Sequence, residues 1–409
     1  MSPSCRGKML VAFFALLGAF LLSYHEIGCD DHWWHVATGR LMRAEMRIPP
    51  VDVFSFTYEG APWSNNEWGF SLFISLVWDH AGTVGFFLYR WLVLFGIAAF
   101  LWGAVAERRK ESETGPPSLL FSLSIVAFML LVLQIRIGIR PHLLGYLFLS
   151  ALVWRLQRPL VWKERRGYLL QAVLFFAAWA FFHYSWTLGV VVAVAAIGDR
   201  YLRWRWGDAG TFIKEIRRLL RDHPWRSVSL ASLFLVLCAG TLVFSDHFSF
   251  ILSHLRNVED VAEWQSYWHW FSLRPVFVVT LLYYLLVLVL LPRTVRSSPL
   301  SGILMLLMLL LSMKSVRFIA EFTIISLPVT MAGAFSYARS YPPRRIELAR
   351  YLSCGILWLA MVAGVGETER GPRGASSQGR IGSPSHTRLA KLRTSEASSA
   401  RSHAGLRSN

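Results

Sequence analysis

The segment GTVGFFLYRWLVLFGIAAFLWGAVA, residues 82–106, decides the fold of this chain. It carries a single charged side chain, Arg90, and its apolar residues form a continuous block rather than a stripe along one helix face. An α-helix needs about 20 mostly apolar residues to cross a bilayer, and this block has that length. We therefore predict that residues 82–106 form a membrane-spanning helix.

The composition of the whole chain agrees with this interpretation. Of its 409 residues, 54% are hydrophobic and only 16% are charged, and the mean hydropathy is +0.42. Soluble proteins carry about 25% charged residues, so a large soluble domain is excluded. The sequence predicts an all-α, polytopic membrane helix bundle of about 10–12 spans. The candidate spans are 9–24, 82–106, 118–135, 140–156, 168–182, 184–198, 227–244, 276–291, 300–312, 318–338 and 350–366.

The distribution of charge predicts the orientation. The formal net charge is +17, but Lys and Arg are concentrated in short loops between apolar blocks, as the positive-inside rule requires, rather than in a nucleic-acid-binding surface. We predict a multi-pass protein of the inner (cytoplasmic) membrane, with the N-terminus inside. The exterior, periplasmic loops are then 25–81, 136–139, 183, 245–275 and 313–317.

Four regions follow from this topology. Residues 1–24 form a signal-anchor first span, because Arg6 and Lys8 precede an apolar block. Residues 25–81 form the first exterior loop, and residues 82–366 form the multi-span bundle. Residues 367–409 are rich in Gly, Ser and Arg, which predicts a disordered basic tail.

The first exterior loop is long enough to have structure of its own. WWHVATGRLMRAEM (33–46) and EWGFSLFISLVW (67–78) are amphipathic and predict helices on the membrane surface. Between them, VDVFSFTYEGAPWSNN (51–66) alternates apolar and polar residues, which predicts an extended segment or hairpin with a turn at residues 59–62.

Polar clusters flank the apolar blocks, and all of them fall on the exterior face in this topology. Charged groups at membrane depth are costly and are usually paired or functional. We therefore predict that the clusters together line one polar cavity, although any one of them alone is better explained as ordinary residues at a helix end. The clusters are HEIGCDDHWWH (25–35), RIGIRPH (136–142), HYSW (183–186), EDVAEWQSYWHW (259–270) and MKSVRF (313–318).

The acidic pair Asp30 and Asp31 allows several roles. An exterior carboxylate can act as a general base, and two adjacent acids can bind a divalent cation such as Mg²⁺ or Mn²⁺. One Asp can also cap the helix that follows it. His32 and His35 share a helix face and are expected to line or orient the site, although an HxxH motif with an acid is also a weak zinc signal.

The basic residues of the clusters predict an anionic ligand, because Arg and Lys at the ends of spans are placed to bind a lipid phosphate. The nearby Trp residues are suited either to stack on sugars or to form the aromatic belt of a membrane protein. No Walker A or GxGxxG motif is present, so no nucleotide cofactor is expected. The basic residues are Arg136, Arg140, Lys314 and Arg317, and the aromatic ones are Trp33, Trp34, Trp63, Trp264, Trp268 and Trp270.

This arrangement resembles the GT-C superfamily of membrane glycosyltransferases, and in particular a bacterial branch of it. The shared pattern is a first span, a long exterior loop that opens with an acidic pair, surface helices in that loop and many further spans. The resemblance covers roughly residues 9–340. The segments that carry it are DDHWWHVATGRLMRAEMRIPPVDVFSFTYEGAPWSNNEWGFSLF (30–73), RPHLLGYLFL (140–149), EWQSYWHW (263–270) and SVRFIAEFTIISLPV (315–329).

The resemblance implies transfer of a sugar from a polyprenyl-phosphate donor to an acceptor on the exterior face of the cell envelope. Asp31 or Asp30 would then be the catalytic base or a metal ligand, and Arg140 and Arg317 would hold the donor phosphate. The full set of expected substrate-binding residues is Arg140, Arg317, Arg136, Lys314, His35, Glu67, Glu263, Trp264 and His183.

Two other functions remain open at this point. One is a transporter or flippase for a lipid-linked or anionic solute, which would be expected to show internal repeats with broken helices near mid-membrane. The other is a membrane protein of the same fold that has lost catalysis. The expected partners are the lipid bilayer and a lipid-linked sugar, with no nucleic acid.

Overall fold

The computed structural model describes residues 3–24, 31–63, 65, 67–111, 119–158, 165–206, 266–270, 275–338 and 358. These residues are predominantly helical and contain no β-strand, so the all-α class is confirmed for the described part of the chain. Short 3₁₀ turns at Gln134–Arg136 and Val316–Phe318 interrupt the helices. The helices are α1 Pro3–Ser23, α2 His32–Glu45, α3 Trp68–Glu111, α4 Leu119–Leu133, α5 Pro141–Leu156, α6 Arg165–Phe182, α7 Trp186–Trp206, α8 Tyr267–Trp270, α9 Pro275–Ser297, α10 Pro299–Lys314 and α11 Ile319–Ala338.

Within the described residues, four helical segments are long and apolar enough to cross a membrane. This supports a membrane-associated protein, whereas the count of 10–12 spans stays a prediction. The blocks predicted at 227–244 and, apart from Trp358, at 350–366 lie outside the described residues, as does the tail at 367–409. The four segments are Arg6–Ser23, Trp68–Arg108, Leu119–Arg136 and Val276–Ser297, and Leu170–Phe182 and Pro299–Lys314 are shorter apolar helices.

Helix α3 changes direction at Gly82. The backbone there has φ 52° and ψ −138°, a conformation that glycine adopts without the steric cost of a Cβ atom. The ring centroids of Trp78 and Phe86 lie 4.9 Å apart, and those of Phe73 and Tyr89 lie 5.8 Å apart. The segment before Gly82 therefore folds back on the segment after it. The surface helix predicted at 67–78 and the span predicted at 82–106 are the two arms of this helical hairpin.

Helix α2 packs against the first arm of α3. A Cβ atom on Gly39 would lie 2.1 Å from the carbonyl oxygen of Ser71, so only glycine permits this close approach. At the outer edge of the contact, Asp79 accepts hydrogen bonds from Arg40, at 2.8 Å from Nε, and from Arg43. Helix α2 and the first arm of α3 are thus a closely packed pair, and the long second arm of α3 follows them in the chain.

The predicted hairpin after α2 is present as a turn rather than as a pair of strands. Val51 and Pro62 form an isolated antiparallel bridge, and Gly60, with φ 79°, occupies the turn. The carboxylate of Asp52 accepts hydrogen bonds from the backbone N–H groups of Phe54 (2.8 Å) and Ser55 (2.9 Å). This side-chain turn bends the chain immediately after Asp52, so the apolar–polar alternation that follows does not become a strand.

Contacts at one end of helices α5, α7 and α10 hold these three helices together. This end of the three helices is here called the far end. Asp199 of α7 accepts hydrogen bonds from the backbone N–H groups of Leu300 and Ser301 in the first turn of α10, each at 2.9 Å. Arg200 donates to the carbonyl of Leu156 at the end of α5. Helices α5 and α10 have 16 residues each, which corresponds to a length of about 24 Å. At their other ends, α5 begins next to Arg140 and α10 ends shortly before Arg317, and both arginines line the polar cavity described next.

Candidate functional site

A polar cavity of about 310 Å³ lies at the opposite ends of these helices. Asp31 occupies the N-cap position of α2, Glu67 directly precedes α3, and Arg140 occupies the N-cap position of α5. His183 lies between α6 and α7, and Arg317 lies in the 3₁₀ turn before α11. The cavity is lined by Asp31, Trp34, His35, Trp63, Asn65, Glu67, Arg136, Arg140, Pro141, His142, His183, Tyr184 and Arg317.

These side chains meet because each belongs to a polar interruption between apolar blocks. Such interruptions end a helix or start the next one, so they gather at the ends of the helical bundle. Of the residues expected from the sequence, the cavity brings together Asp31, His35, Glu67, Arg136, Arg140, His183 and Arg317.

Asp31 does not have the capping role that the sequence allowed for it. It stands at the N-cap position of α2, but its side chain makes no hydrogen bond to the first turn of the helix. Its carboxylate instead lies 3.3 Å from the guanidinium of Arg140. The Asp31 side chain is 53% exposed, so this ion pair contributes little to stability and chiefly fixes the positions of the two groups.

Glu67 lies between two histidines. Its Oε1 is 3.3 Å from Nε2 of His183, and its Oε2 is 3.8 Å from Nε2 of His35. Nδ1 of His35 is 2.9 Å from the hydroxyl of Ser71, and Nδ1 of His183 is 2.7 Å from the hydroxyl of Ser185. Each ring therefore has one nitrogen toward Glu67 and the other toward a serine.

Burial controls the protonation of this group of residues. It raises the pKa of Glu67 from its usual 4.5 to about 7, and the charge of Asp31 adds to the effect while those of Arg317 and Arg140 oppose it. Burial also lowers the pKa of His35 to about 3, helped by the charges of Arg140 and His32. Near neutral pH, His35 is thus uncharged and Glu67 is close to half protonated.

Three guanidinium groups reach the same cavity from different elements. Arg136 comes from the 3₁₀ turn after α4, and Arg140 is paired with Asp31 as described above. Arg317 donates a hydrogen bond to the hydroxyl of Tyr184 and lies 6.0 Å from the centre of its ring. This combination is suited to an anion such as a phosphate, since guanidinium groups bind phosphate oxygens through directed, charge-assisted hydrogen bonds.

Aromatic rings form one wall of the cavity. Trp34 stacks on His35 with ring centroids 3.7 Å apart, and it makes an edge contact with Trp63 at 5.9 Å. Phe54 of the hairpin packs edge-on against Trp63 at 6.2 Å. An aromatic surface beside charged groups can accommodate the apolar face of a sugar ring as well as an anionic head group.

Some of the expected site residues lie elsewhere. Lys314 is exposed at the last residue of α10 and does not line the cavity, because the 3₁₀ turn that follows brings Arg317 to it instead. His32 is buried against Phe86, with ring centroids 5.4 Å apart, on the side of α2 that faces α3. The expected site residues Asp30, Glu263 and Trp264 lie outside the described residues.

Three polar residues that line the cavity were not expected from the sequence: Asn65, His142 and Tyr184. His142 and Tyr184 belong to the clusters RIGIRPH and HYSW, so their surroundings were a usable signal. For Asn65 the sequence offered no signal beyond its position two residues before Glu67. Its side chain is 8% exposed, and its amide nitrogen is 3.9 Å from the sulfur of Met42.

The described residues hold no cluster of side chains typical of a metal site. No group of three His, Cys, Asp or Glu side chains among them is arranged to hold a metal ion. Asp31, the described member of the acidic pair, has its carboxylate beside a guanidinium, which competes with a cation for the same oxygens. The divalent cation expected from the sequence stays a prediction, since Asp30, the other member of the pair, lies outside the described residues.

The fold and the cavity together define a class: a helical, membrane-associated protein with a polar cavity where several helices end. Comparison with known proteins adds no narrower identity, since no protein-family model, no curated protein and no solved structure matches the chain.

Proposed function

We propose that this protein is an integral membrane glycosyltransferase. It moves a sugar from a polyprenyl-phosphate donor to an acceptor on the exterior face of the cytoplasmic membrane, with the N-terminus inside. The observation that carries this proposal is the cavity itself, which joins three guanidinium groups, two carboxyl groups and two tryptophans at the ends of apolar helices.

Each component of the cavity suits one part of such a donor. Arg140 and Arg317 are placed to hold the phosphate, since both line the cavity from helix ends. Trp34 and Trp63 offer flat faces to the sugar. The neighbouring apolar helices leave exposed hydrophobic side chains, such as Leu88 and Leu92 of α3, which suits a bilayer that delivers the lipid chain.

The reaction needs one carboxylate to accept a proton. The acceptor hydroxyl oxygen bonds to the anomeric carbon of the sugar while the bond from that carbon to the phosphate oxygen breaks. The electron pair of the broken bond stays on the phosphate, where the guanidinium groups stabilise it. The hydroxyl proton passes to a carboxylate of the cavity, for which the described residues offer Asp31 and Glu67.

The proposal is tested by profiling glycans and glycolipids of a deletion strain complemented with variants. We expect the wild-type gene to restore a glycosylated product, and Asp31→Ala, Arg140→Gln and Arg317→Gln to leave it missing while the lipid-linked sugar accumulates. Arg47→Gln is the matched control, because Arg47 is exposed and pairs with Glu45 away from the cavity. Unchanged glycans and glycolipids in the deletion strain would refute the proposal.

A second experiment separates sugar transfer from transport. The purified protein in nanodiscs is given the lipid-linked sugar extracted from the deletion strain, together with envelope acceptors. Formation of a new glycosidic bond supports the transferase, whereas movement of the intact donor across vesicles without bond formation identifies a flippase.

A further inference from the structure

We propose that Glu67, rather than Asp31, accepts the proton during transfer, and that His183 and His35 hold its two carboxyl oxygens in opposite hydrogen-bonding roles. This inference rests on the proposed function and names the proton acceptor of the same site. Three observations lead to it: the tautomer of His183, the tautomer of His35, and the different surroundings of the two carboxylates.

The contacts of His183 place its ring proton on Nε2. The backbone N–H of Ser185 donates to Nδ1 of His183 at 3.2 Å, so Nδ1 carries a lone pair. The hydroxyl of Ser185, 2.7 Å from the same nitrogen, itself accepts a hydrogen bond from the indole of Trp179 at 3.1 Å. The proton on Nε2 therefore points to Oε1 of Glu67, 3.3 Å away, and His183 donates to that oxygen.

The contacts of His35 give the opposite tautomer. The hydroxyl of Ser71 donates to the backbone carbonyl of Glu67 at 3.3 Å, so it accepts from Nδ1–H of His35 at 2.9 Å. Nε2 of His35 then carries a lone pair and faces Oε2 of Glu67 at 3.8 Å. Stacking on Trp34 and edge contact with Phe70 hold the buried ring in this orientation.

The two oxygens of Glu67 are consequently not equivalent. Oε1 faces a hydrogen-bond donor whether or not the carboxyl is charged. Oε2 faces an acceptor, so this oxygen gains a partner only when it carries a proton. A small side-chain movement that shortens the 3.8 Å separation would form that hydrogen bond. The site is thus built to stabilise Glu67 after it has taken up a proton on Oε2.

The charged groups around Glu67 keep this proton exchangeable. Arg140 at the start of α5 and Arg317 before α11 favour the charged carboxylate, whereas Asp31 at the start of α2 and burial favour the neutral acid. His35 and His183 face the two carboxyl oxygens of Glu67, and Arg136, His142 and Tyr184 also line the cavity. The resulting balance places the pKa of Glu67 near 7, where a base both takes up and releases protons readily.

Asp31 lacks this arrangement. Its carboxylate faces a guanidinium, which has only hydrogen-bond donors and so offers no acceptor for a bound proton. The structure assigns Asp31 the role of a positioning residue that orients Arg140 toward the phosphate.

The step can be written with Glu67 as the base. The acceptor oxygen bonds to the anomeric carbon, its proton moves to Oε2 of Glu67, and the bond between that carbon and the phosphate oxygen breaks with its electrons on the phosphate. The protonated carboxyl then donates to Nε2 of His35, and it loses the proton to water when the product leaves.

The protonation of Glu67 is tested without any substrate, by infrared difference spectroscopy of the purified protein across pH 5 to 9. We expect the difference between the wild-type and Glu67→Gln spectra to contain a protonated-carboxyl band that disappears with a midpoint of about 7, and we expect the control Glu59→Gln, whose side chain is exposed on the hairpin turn, to match the wild type. A wild-type titration that is identical to that of Glu67→Gln would overturn the inference.

Two histidine variants test the opposite roles, which a purely structural contribution would not reproduce. His183→Leu removes a donor to the charged form, so the midpoint should move to higher pH. His35→Leu removes the acceptor of the protonated form, so the midpoint should move to lower pH. His80→Leu is the matched control, because His80 is exposed and bonds only locally to the carbonyl of Leu76. Shifts in the same direction for both variants would contradict the assigned tautomers.

Kinetics with the lipid-linked sugar then separate this inference from the proposed function. Glu67→Gln should lower kcat by a factor of about 10² to 10⁴ with little change in the KM for the sugar donor, whereas Asp31→Asn should mainly raise that KM. Loss of kcat in Asp31→Asn but not in Glu67→Gln refutes the inference and leaves the transferase intact. A confirmed Glu67 titration in a protein that transfers no sugar refutes the proposed function alone.

Discussion

Glu67 couples the protonation of the cavity to the stability of the fold. A carboxyl whose pKa rises from 4.5 to about 7 on folding makes the folded chain bind more protons than the unfolded chain between these values. Its contribution to stability is complete below pH 4.5 and is lost as pH rises through about 7.

The first prediction follows from this loss of stability with rising pH. Relative to Glu67→Gln, which cannot titrate, the wild-type protein should lose thermal stability progressively from about pH 4.5 to about pH 7. The melting temperature of the detergent-solubilised proteins, measured at each pH, gives this difference directly. Glu59→Gln serves as control and should follow the wild-type curve, because its carboxyl is exposed. A pH-independent difference between wild type and Glu67→Gln would contradict the raised pKa.

Gly39 is a second single residue on which the fold depends, because it has no side chain where α2 meets α3. A methyl group there would meet the backbone oxygen of Ser71 at 2.1 Å and the hydroxyl of Ser75 at 2.5 Å. Since backbone cannot rotate away, the two helices would have to separate, and His35 would move with α2.

The second prediction is that Gly39→Ala destabilises the protein by about 1–3 kcal/mol, as overpacking typically does. Thermal unfolding monitored by tryptophan fluorescence measures the effect. Gly7→Ala is the matched control: a Cβ atom on Gly7 has no neighbour within 4 Å, so this variant should be unchanged or slightly more stable. Equal stability of Gly39→Ala and wild type would show that α2 does not pack this closely.

At the scale of the elements, the start of α10 depends on a neighbouring helix. Ser298 stands at its N-cap position but does not cap the first turn through its side chain, and Pro299 follows. Asp199 of α7 supplies the missing acceptors to the N–H groups of Leu300 and Ser301. The cap is therefore a tertiary contact that also fixes the far end of α10 against α7.

The third prediction concerns this cap. Asp199→Ala should cost about 1–2 kcal/mol, the usual value for a lost N-cap, because two half-buried N–H groups lose their acceptor. Asp199→Asn keeps one acceptor oxygen and should cost less. Chemical or thermal unfolding of the two variants measures the graded loss. If both variants matched the wild type, the bond between α7 and α10 would have no role in stability.

For the whole molecule, helices α5, α7 and α10 each run between the cavity end and the far end. In the proposed orientation the cavity end faces the exterior, since the positive-inside rule predicts that the basic loops lie inside. The hairpin turn at Glu59 and the turn between α9 and α10 at Ser297 should then lie on opposite sides of the membrane.

The fourth prediction tests this arrangement by labelling single cysteines, introduced after the four native cysteines are replaced. A membrane-impermeant maleimide added to intact spheroplasts should label Glu59→Cys but not Ser297→Cys, and lysis should expose Ser297→Cys as the internal control. Labelling of both positions in intact spheroplasts would refute the opposite placement, and the reverse pattern would invert the orientation.

The sequence by itself determined the helices, because an apolar block and its polar ends are local features. It predicted α2, the two arms of α3 and the turn near Gly60, and it indicated which clusters flank the helices. It also favoured Asp31 as the base, since an acidic pair is conspicuous along the chain.

Only the tertiary structure decided which polar groups meet. The packing of α2 on α3 brings His35 beside Glu67, and the turn after α6 brings His183 to the same carboxyl. The pairing of Asp31 with Arg140, instead of a cap on α2, depends on where α5 begins. Lys314 is excluded from the cavity although it lies only three residues before Arg317. The physical reason is that the charge, hydrogen-bonding role and pKa of a side chain are set by neighbours distant in sequence, and local pattern does not encode them.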